Sequence, residues 1–377
     1  MKWHLALCMV WIVLSPVLSG CWDQRLFKEV KLGMATSLDL NKKGQLEVGV
    51  SIPNIAKTSQ GPGMETVQIV SVEARTPREA RIKIDRETSK KFDATKMRVV
   101  LIGKSLAKKK IYPLLDIFYR DPDSPLNADL AIVSGKALNA LTLKTKGESK
   151  PSEYLSGLLE SAATSTFIGR NETIEGVFGK MLDPGSDITV PLINIKNQKN
   201  IAKVAGLALF DGDQYTGKVL KDQAATLFLL MNNDKGKIAR LTAKVLKNQK
   251  PKYSNYITIE VKKAKSNLKI QFDELGKISA KINLHLKVRT IEYPRDRLDT
   301  KKEVDKLNRR LSQLLSRRAG KVINKLQKAD CDAYGIGRHL NAFHHDLWKT
   351  LDWEKVYPKI PFTAKVDVEI VQHGIIN

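Results

Sequence analysis

The chain has 377 residues, 42% of them hydrophobic, and carries 64 Lys plus Arg against 40 Asp plus Glu for a net charge of +24. That hydrophobic content excludes a disordered chain, and the length allows more than one core. The positive excess suits anionic partners, of which nucleic acid, acidic lipid head groups and an anionic wall polymer are the candidate classes.

The N-terminus narrows this choice. One formal charge, on Lys2, precedes the almost wholly apolar run from Leu5 to Leu18. That run suits the core of a signal peptide and falls short of the ~20 residues that span a bilayer. Leu18, Ser19 and Gly20 then lead into Cys21, the pattern of a lipoprotein site. The Cys21 thiol would take a diacylglycerol, with or without a further N-acyl chain, and cleavage would fall on its N-terminal side. A plain signal peptide with an incidental cysteine is the competing reading. Export removes nucleic acid from the partners and leaves an anionic phospholipid surface, to which each well-placed Lys or Arg contributes roughly 1 kcal/mol. Two acyl chains give stable attachment where one gives marginal binding. Cys8 would leave with the leader and Cys21 would be blocked, so Cys331 has no partner for an internal disulfide and reads as a buried or idle thiol.

Beyond the anchor, strands and helices alternate. Val30 to Leu40 and Gln45 to Ile52 read as strands around an Asn-Lys-Lys-Gly turn, and Thr66 to Val72 as a third after a polar loop at Pro53 to Gly63. Thr76-Pro77-Arg78-Glu79 is a capping box that opens a helix towards Phe92. Met97 to Ile102 is an apolar strand, Lys108 to Tyr119 a helix, Ala128 to Val133 a strand and Lys136 to Leu143 a helix. Ser152 is expected to cap a helix through Ala163, and Glu172 to Met181 is another. Asp187 to Ile195 and Lys203 to Phe210 are strands, followed by a helix at Asp222 to Met231. Lys237 to Ile291 is nearly all strand, clearest in KISAKINLHLKV, where apolar and polar residues alternate as in an antiparallel sheet with one wet face. Asp299 to Ala329 is one long helix with an apolar stripe from Val304 to Leu326. A short helix at Arg338 to Leu347 and a strand at Phe362 to Ile370 finish the chain.

The fold class is therefore α+β or mixed α/β: several domains of mixed sheets flanked by helices, ending in an antiparallel-rich sheet covered by the long helix. The expected divisions are a leader at 1–20, an N-terminal region at 21–200 with a candidate joint at 142–150, and a C-terminal domain at 201–377.

Catalytic and metal motifs do not assemble. Ile102-Gly-Lys-Ser105 lacks the first glycine of a phosphate loop, since Arg98 stands there. Gly335-Ile-Gly-Arg-His-Leu340 lacks the third glycine of a dinucleotide fingerprint. His344-His345-Asp346 has no metal-ligand spacing, so no metal and no cofactor beyond the lipid are expected. The long helix carries ten Lys and Arg against Glu303 and Asp305. Arg309, Arg310, Arg317 and Arg318 are either a solvated outer face or a docking face for acidic lipid or an acidic partner.

Several motifs together resemble the Ger(x)C family, the lipoprotein C subunits of spore nutrient germinant receptors. They are the lipobox with Cys21-Trp22-Asp23, Arg120-Asp121-Pro122, Gly135-Lys136-Ala137, Pro151-Ser152-Glu153-Tyr154-Leu155, Asp332-Ala-Tyr-Gly-Ile-Gly337, and Leu347-Trp348-Lys349 with Trp353. Ser89 to Lys96 departs from the family, which usually carries an aromatic-Gly-His there. The resemblance implies a three-domain, non-enzymatic protein on the outer face of the spore inner membrane, beside integral membrane A and B subunits. Trp22 is then either a lipid–water interface anchor or packed on the first strand. An extracytoplasmic substrate-binding lipoprotein of a transporter is the alternative, and it predicts two similar lobes of repeated βαβ units.

Overall fold

The computed structural model describes residues 29–56, 64–144, 150–196, 200–247, 249–274, 276–294, 298 and 300–373, together with Trp3. Leu18, Ser19, Gly20, Cys21 and Trp22 lie outside the described residues.

The first expected strand is two. β1 (Val30–Leu32) pairs in parallel with β5 (Lys91–Asp93), while β2 (Ala35–Leu40) enters a large sheet. The break falls at Gly33, where an added Cβ would lie 2.5 Å from the Phe92 ring, so only glycine lets that ring close the core. β3 (Leu46–Ala56) and β4 (Met64–Ala74) continue the antiparallel meander. Thr76 caps α1 (Pro77–Glu87) as the sequence indicates, its hydroxyl accepting from Glu79 N. α1 stops short of Phe92 because the Asp85 carboxylate accepts from Phe92 N at 2.7 Å and turns the chain into β5.

β6 (Val99–Gly103) is followed by α2 (Lys104–Ala107), α3 (Tyr112–Arg120), β7 (Asp129–Val133) and α4 (Leu138–Leu141). α5 (Pro151–Thr164) has Lys150 at its N-cap and Pro151 in its first turn; Ser152, expected as the cap, is instead buried. α6 (Ile174–Met181) is capped by Thr173. β8 (Thr189–Lys196), β9 (Ile201–Asp211) and β10 (Gln214–Leu220) complete an eight-stranded mixed sheet of order β10-β9-β8-β7-β6-β2-β3-β4. The expected boundary at 200/201 falls between two hydrogen-bonded strands of this sheet.

Its central strands are buried on both sides. Val99 and Leu101 of β6 belong to one core and Val100 and Ile102 to the other, as the period of two requires. The core that holds Val100 and Ile102 lies under α1, α3 and α6. The one that holds Val99 and Leu101 continues through α5 and α7 (Gln223–Met231) into a four-stranded sheet.

That sheet runs β11 (Arg240–Lys244), β12 (Tyr256–Phe272), β13 (Ile278–Glu292) and β14 (Phe362–His373). The first three are antiparallel and β14 joins β13 in parallel, because α8 (Lys301–Gln327) is the crossover between them. The apolar stripe of α8 is buried from Leu307 to Leu326. Its neighbouring polar stripe satisfies the open edge of β14: Ser316, Ser312 and Asn308 accept from Val366 N, Val368 N and Ile370 N at 2.8, 2.9 and 2.9 Å. Four helical residues rise about 6 Å and two strand residues about 6.6 Å, so the two ladders stay in step. α9 (Ile336–Phe343), α10 (His345–Thr350) and α11 (Trp353–Val356) close the fold, and the single helix expected at 338–347 is divided at His344.

Candidate functional site

The most elaborate constellation sits where the loop after α6 meets the turn after α8. Gly185 has φ +77°, and an added Cβ there would lie 2.5 Å from Gly337 C. A Cβ on Gly337 would lie 2.5 Å from Trp353 Nε1. These segments therefore meet backbone to backbone, sealed by Arg338 N donating to Gly185 O at 2.8 Å. Gly335 supplies a left-handed residue at the N-cap of α9.

Asp332 organises this junction. Its carboxylate accepts from Ile336 N at 3.0 Å, Gly337 N at 2.7 Å and Trp353 Nε1 at 3.2 Å. Asp187 accepts from Asp332 N at 2.6 Å and Gly212 N at 2.7 Å, so two carboxylates bind four chain segments together. Burial is the main influence on both and outweighs the donors, pushing Asp332 up to about 7 and Asp187 to about 6. Tyr357 Oη donates to Cys331 O at 2.8 Å, and Cys331 is fully buried with its thiol pushed up by burial.

Above the junction opens a cleft of about 780 Å³. Trp348, Trp353 and Tyr357 form its aromatic wall, with successive ring centroids 5.8 Å apart. Asp183, Asp211, Asp330, Asp352 and Glu354 add carboxylates around the rim; its basic lining is His345 and Lys349, and Arg338 and Lys355 pair from outside with Asp183 and Asp352. In a chain of charge +24 this is a local reversal of sign, suited to cationic or donor-rich groups. The carboxylates are spread too widely for a metal: no set of three or more His, Cys, Asp or Glu could hold one among the described residues. The sequence showed Asp332, Trp348, Lys349 and Trp353 only as separate motifs; that they gather with acids from other segments was not legible.

The remaining motif residues have local tasks. Asp121 pairs with Arg78 at 3.0 Å and Arg81 at 2.8 Å, tying α3 to α1. Gly135-Lys136-Ala137 is read by buried Asp39, which accepts from Ala137 N and Leu138 N at 2.8 Å each. A Cβ on Gly103 would meet that carboxylate at 1.9 Å, which explains the glycine of the IGKS segment. Tyr154 Oη donates to Ala202 O at 3.0 Å and accepts from Ala202 N at 3.1 Å, fastening α5 to β9. His344 and His345 serve packing: one ring lies 4.7 Å from Phe272 and the other is hydrogen-bonded to Asn341.

The four arginines are not brought onto one face. Arg309, Arg310 and Arg317 are exposed. Arg318 turns inward, half-buried, donating to Gln223 Oε1 and Thr242 O at 2.9 Å each, so it joins α8 to α7 and β11. Among the described residues no helix is long and apolar enough to cross a membrane.

Comparison with known proteins places these features in context. Residues 23–195 match the family described as Spore germination protein N-terminal domain, and residues 205–374 match Spore germination B3/GerAC like, C-terminal. The chain is 25% identical over 372 residues to spore germination protein GerQC of Bacillus cereus, covering 97% of this chain and 98% of that one. It is 24% identical over 397 residues to the putative spore germination protein YfkR of Bacillus subtilis (strain 168), covering 100% and 98%. The crystal structure of the GerBC protein shares its fold with a TM-score of 0.58 at 18% identity, over 89% of this chain and 96% of that one.

Proposed function

Because the chain belongs to the Ger(x)C family of spore germination proteins, we propose that it is the lipid-anchored C subunit of a spore nutrient germinant receptor, working beside integral membrane A and B subunits. The observation that carries this reading is the pair of family matches, which run from residue 23 to residue 374 and begin just behind Cys21. In this reading Leu18, Ser19 and Gly20 form the processing site, Cys21 carries the lipid, and the chain sits on the outer face of the spore inner membrane. Trp22 then lies at the depth where an indole is favoured, its ring in the lipid and its N–H in water. The protein acts by contact rather than by chemistry.

The transporter reading asks for two similar lobes. The two large sheets have eight and four strands in unrelated orders, and one core runs through both. That arrangement favours the receptor subunit.

The test is germination of spores carrying Cys21→Ala, scored with nutrients and with a trigger that bypasses receptors. The expected outcome is selective loss of the nutrient response together with loss of the protein from the membrane fraction. Deletion of this subunit alone, in a strain without redundant receptors, with normal nutrient germination would overturn the assignment.

A further inference from the structure

The four-stranded sheet has one covered face and one open one. α7 and α8 pack on the inner side, against Ile282, Leu284, Leu286, Val366 and Val368. On the opposite side the register places Lys263 across from Lys287, Lys265 across from His285, and Lys269 across from Lys281. β14 adds Lys365 beside Asn283. All six lysines are exposed. The acids on this face include Asp367 and Glu369 on β14, which pair with His285, Lys365 and Lys287, and Glu260 on β12, which pairs with Arg240, Lys262 and Arg289. Among the described residues no ion pair is found for Lys263, Lys265, Lys269 or Lys281.

Like charges directly opposite in an antiparallel pair are destabilising, and this face holds two such pairs. Glu369 answers the first pair through Lys287, whereas among the described residues no acid pairs with Lys269 or Lys281. The residues between the lysines are Asn267, Gln271, Ser279, Asn283 and Thr363, so the face has no apolar centre. Protein interfaces are depleted in Lys and have apolar or aromatic cores. A lysine-studded surface with a polar centre fits instead an array of fixed negative charges. α8 buries Leu311, Leu315 and Ile323 in the core on the other side of the sheet from this face.

We propose that this open sheet face is the surface that rests on anionic phospholipid head groups, orienting the tethered protein with the outer side of α8 and its Arg309, Arg310 and Arg317 turned away from the bilayer. The inference rests on the lipid-anchored reading above, and it adds the side of the molecule that meets the lipid. Each lysine is a hydrated point charge that needs no bidentate geometry, which is the recognition a fluid head-group layer can supply.

The experiment uses the unlipidated chain from residue 22 onward, whose described strands and helices all lie at or beyond Val30. Its partition is measured by co-sedimentation with phosphatidylcholine vesicles with and without phosphatidylglycerol. Two variants lose the same charge: Lys265→Gln/Lys269→Gln/Lys281→Gln on the sheet, and Arg309→Gln/Arg310→Gln/Arg317→Gln on the helix. Circular dichroism verifies that both remain folded. The expected result is binding only to the phosphatidylglycerol vesicles, reduced roughly 100-fold by the sheet variant and little changed by the helix variant. Equal losses from both variants would show attraction by net charge alone and overturn the proposal. So would absence of native binding, or sedimentation of the chain without vesicles in a form that the sheet variant abolishes, which would assign the face to self-association. The receptor assignment is decided by the spore experiment and does not depend on this result.

Discussion

Asp332 shows how one buried side chain can set the response of a fold to pH. It is 1% exposed and its oxygens meet two backbone N–H groups and an indole. Burial nevertheless raises its carboxyl from 3.8 to about 7, and that of Asp187 from 3.8 to about 6. Both are raised on folding, so between about pH 4 and pH 7 these two sites hold more protons in the folded chain than in the unfolded one. The stability they contribute is complete below the unfolded value and is lost as pH rises through the folded one. Asp332→Asn removes this titration. Urea unfolding at about pH 5 and about pH 7.5 should therefore show a smaller change for the variant than for the native chain, by at least ~1 kcal/mol. An equal change in the two proteins would show that Asp332 is ionised throughout. DAYGIG was legible as a motif. That the Asp is buried against Trp353, 21 positions away, was not.

At the scale of elements, α8 is the best test of what periodicity reveals. Its apolar stripe and its limits, Lys301–Gln327 against an expected 299–329, were readable because a 3.6-residue repeat over so long a segment has few other solutions. The adjoining Asn308, Ser312 and Ser316 look like ordinary polar surface in the sequence. In the fold they are acceptors for an edge strand that would otherwise expose its N–H groups. Ser312→Ala should cost about 1–3 kcal/mol in urea unfolding, since it strands Val368 N, whereas exposed Gln313→Ala should stay within about 0.5 kcal/mol. Equal effects would show that water replaces the serine. Arg318 has the same lesson in reverse: charge and position grouped it with Arg317, and the turn of the helix carried it inward to Gln223 and Thr242.

For the whole molecule, the decisive feature is the core that passes from the eight-stranded sheet through α5 and α7 into the four-stranded sheet. Two sheets that share one core lose each other's packing when either opens. Thermal unfolding of the unlipidated chain should therefore follow one cooperative transition, with calorimetric and van't Hoff enthalpies in agreement. Two separated transitions would mean that the sheets are independent units despite the shared core. The acidic cleft belongs to this scale as well. It opens beside the junction of the loop after α6 and the turn after α8, and its lining extends from Met181 to Tyr357.

Local pattern alone decided the alternation of strands and helices, the capping of α1, the wet face of β13 and the family to which the chain belongs. Each of these depends on neighbours a few positions apart or on motifs read in order. Tertiary structure alone decided that β14 joins β13 in parallel, that β9 and β10 extend the first sheet, that Arg318 faces inward, and that scattered carboxylates gather beside Trp348 and Trp353. The physical reason is the same in each case. Pairing, burial and electrostatic sign depend on distances in space between residues far apart in the chain, and side-chain periodicity carries no record of them.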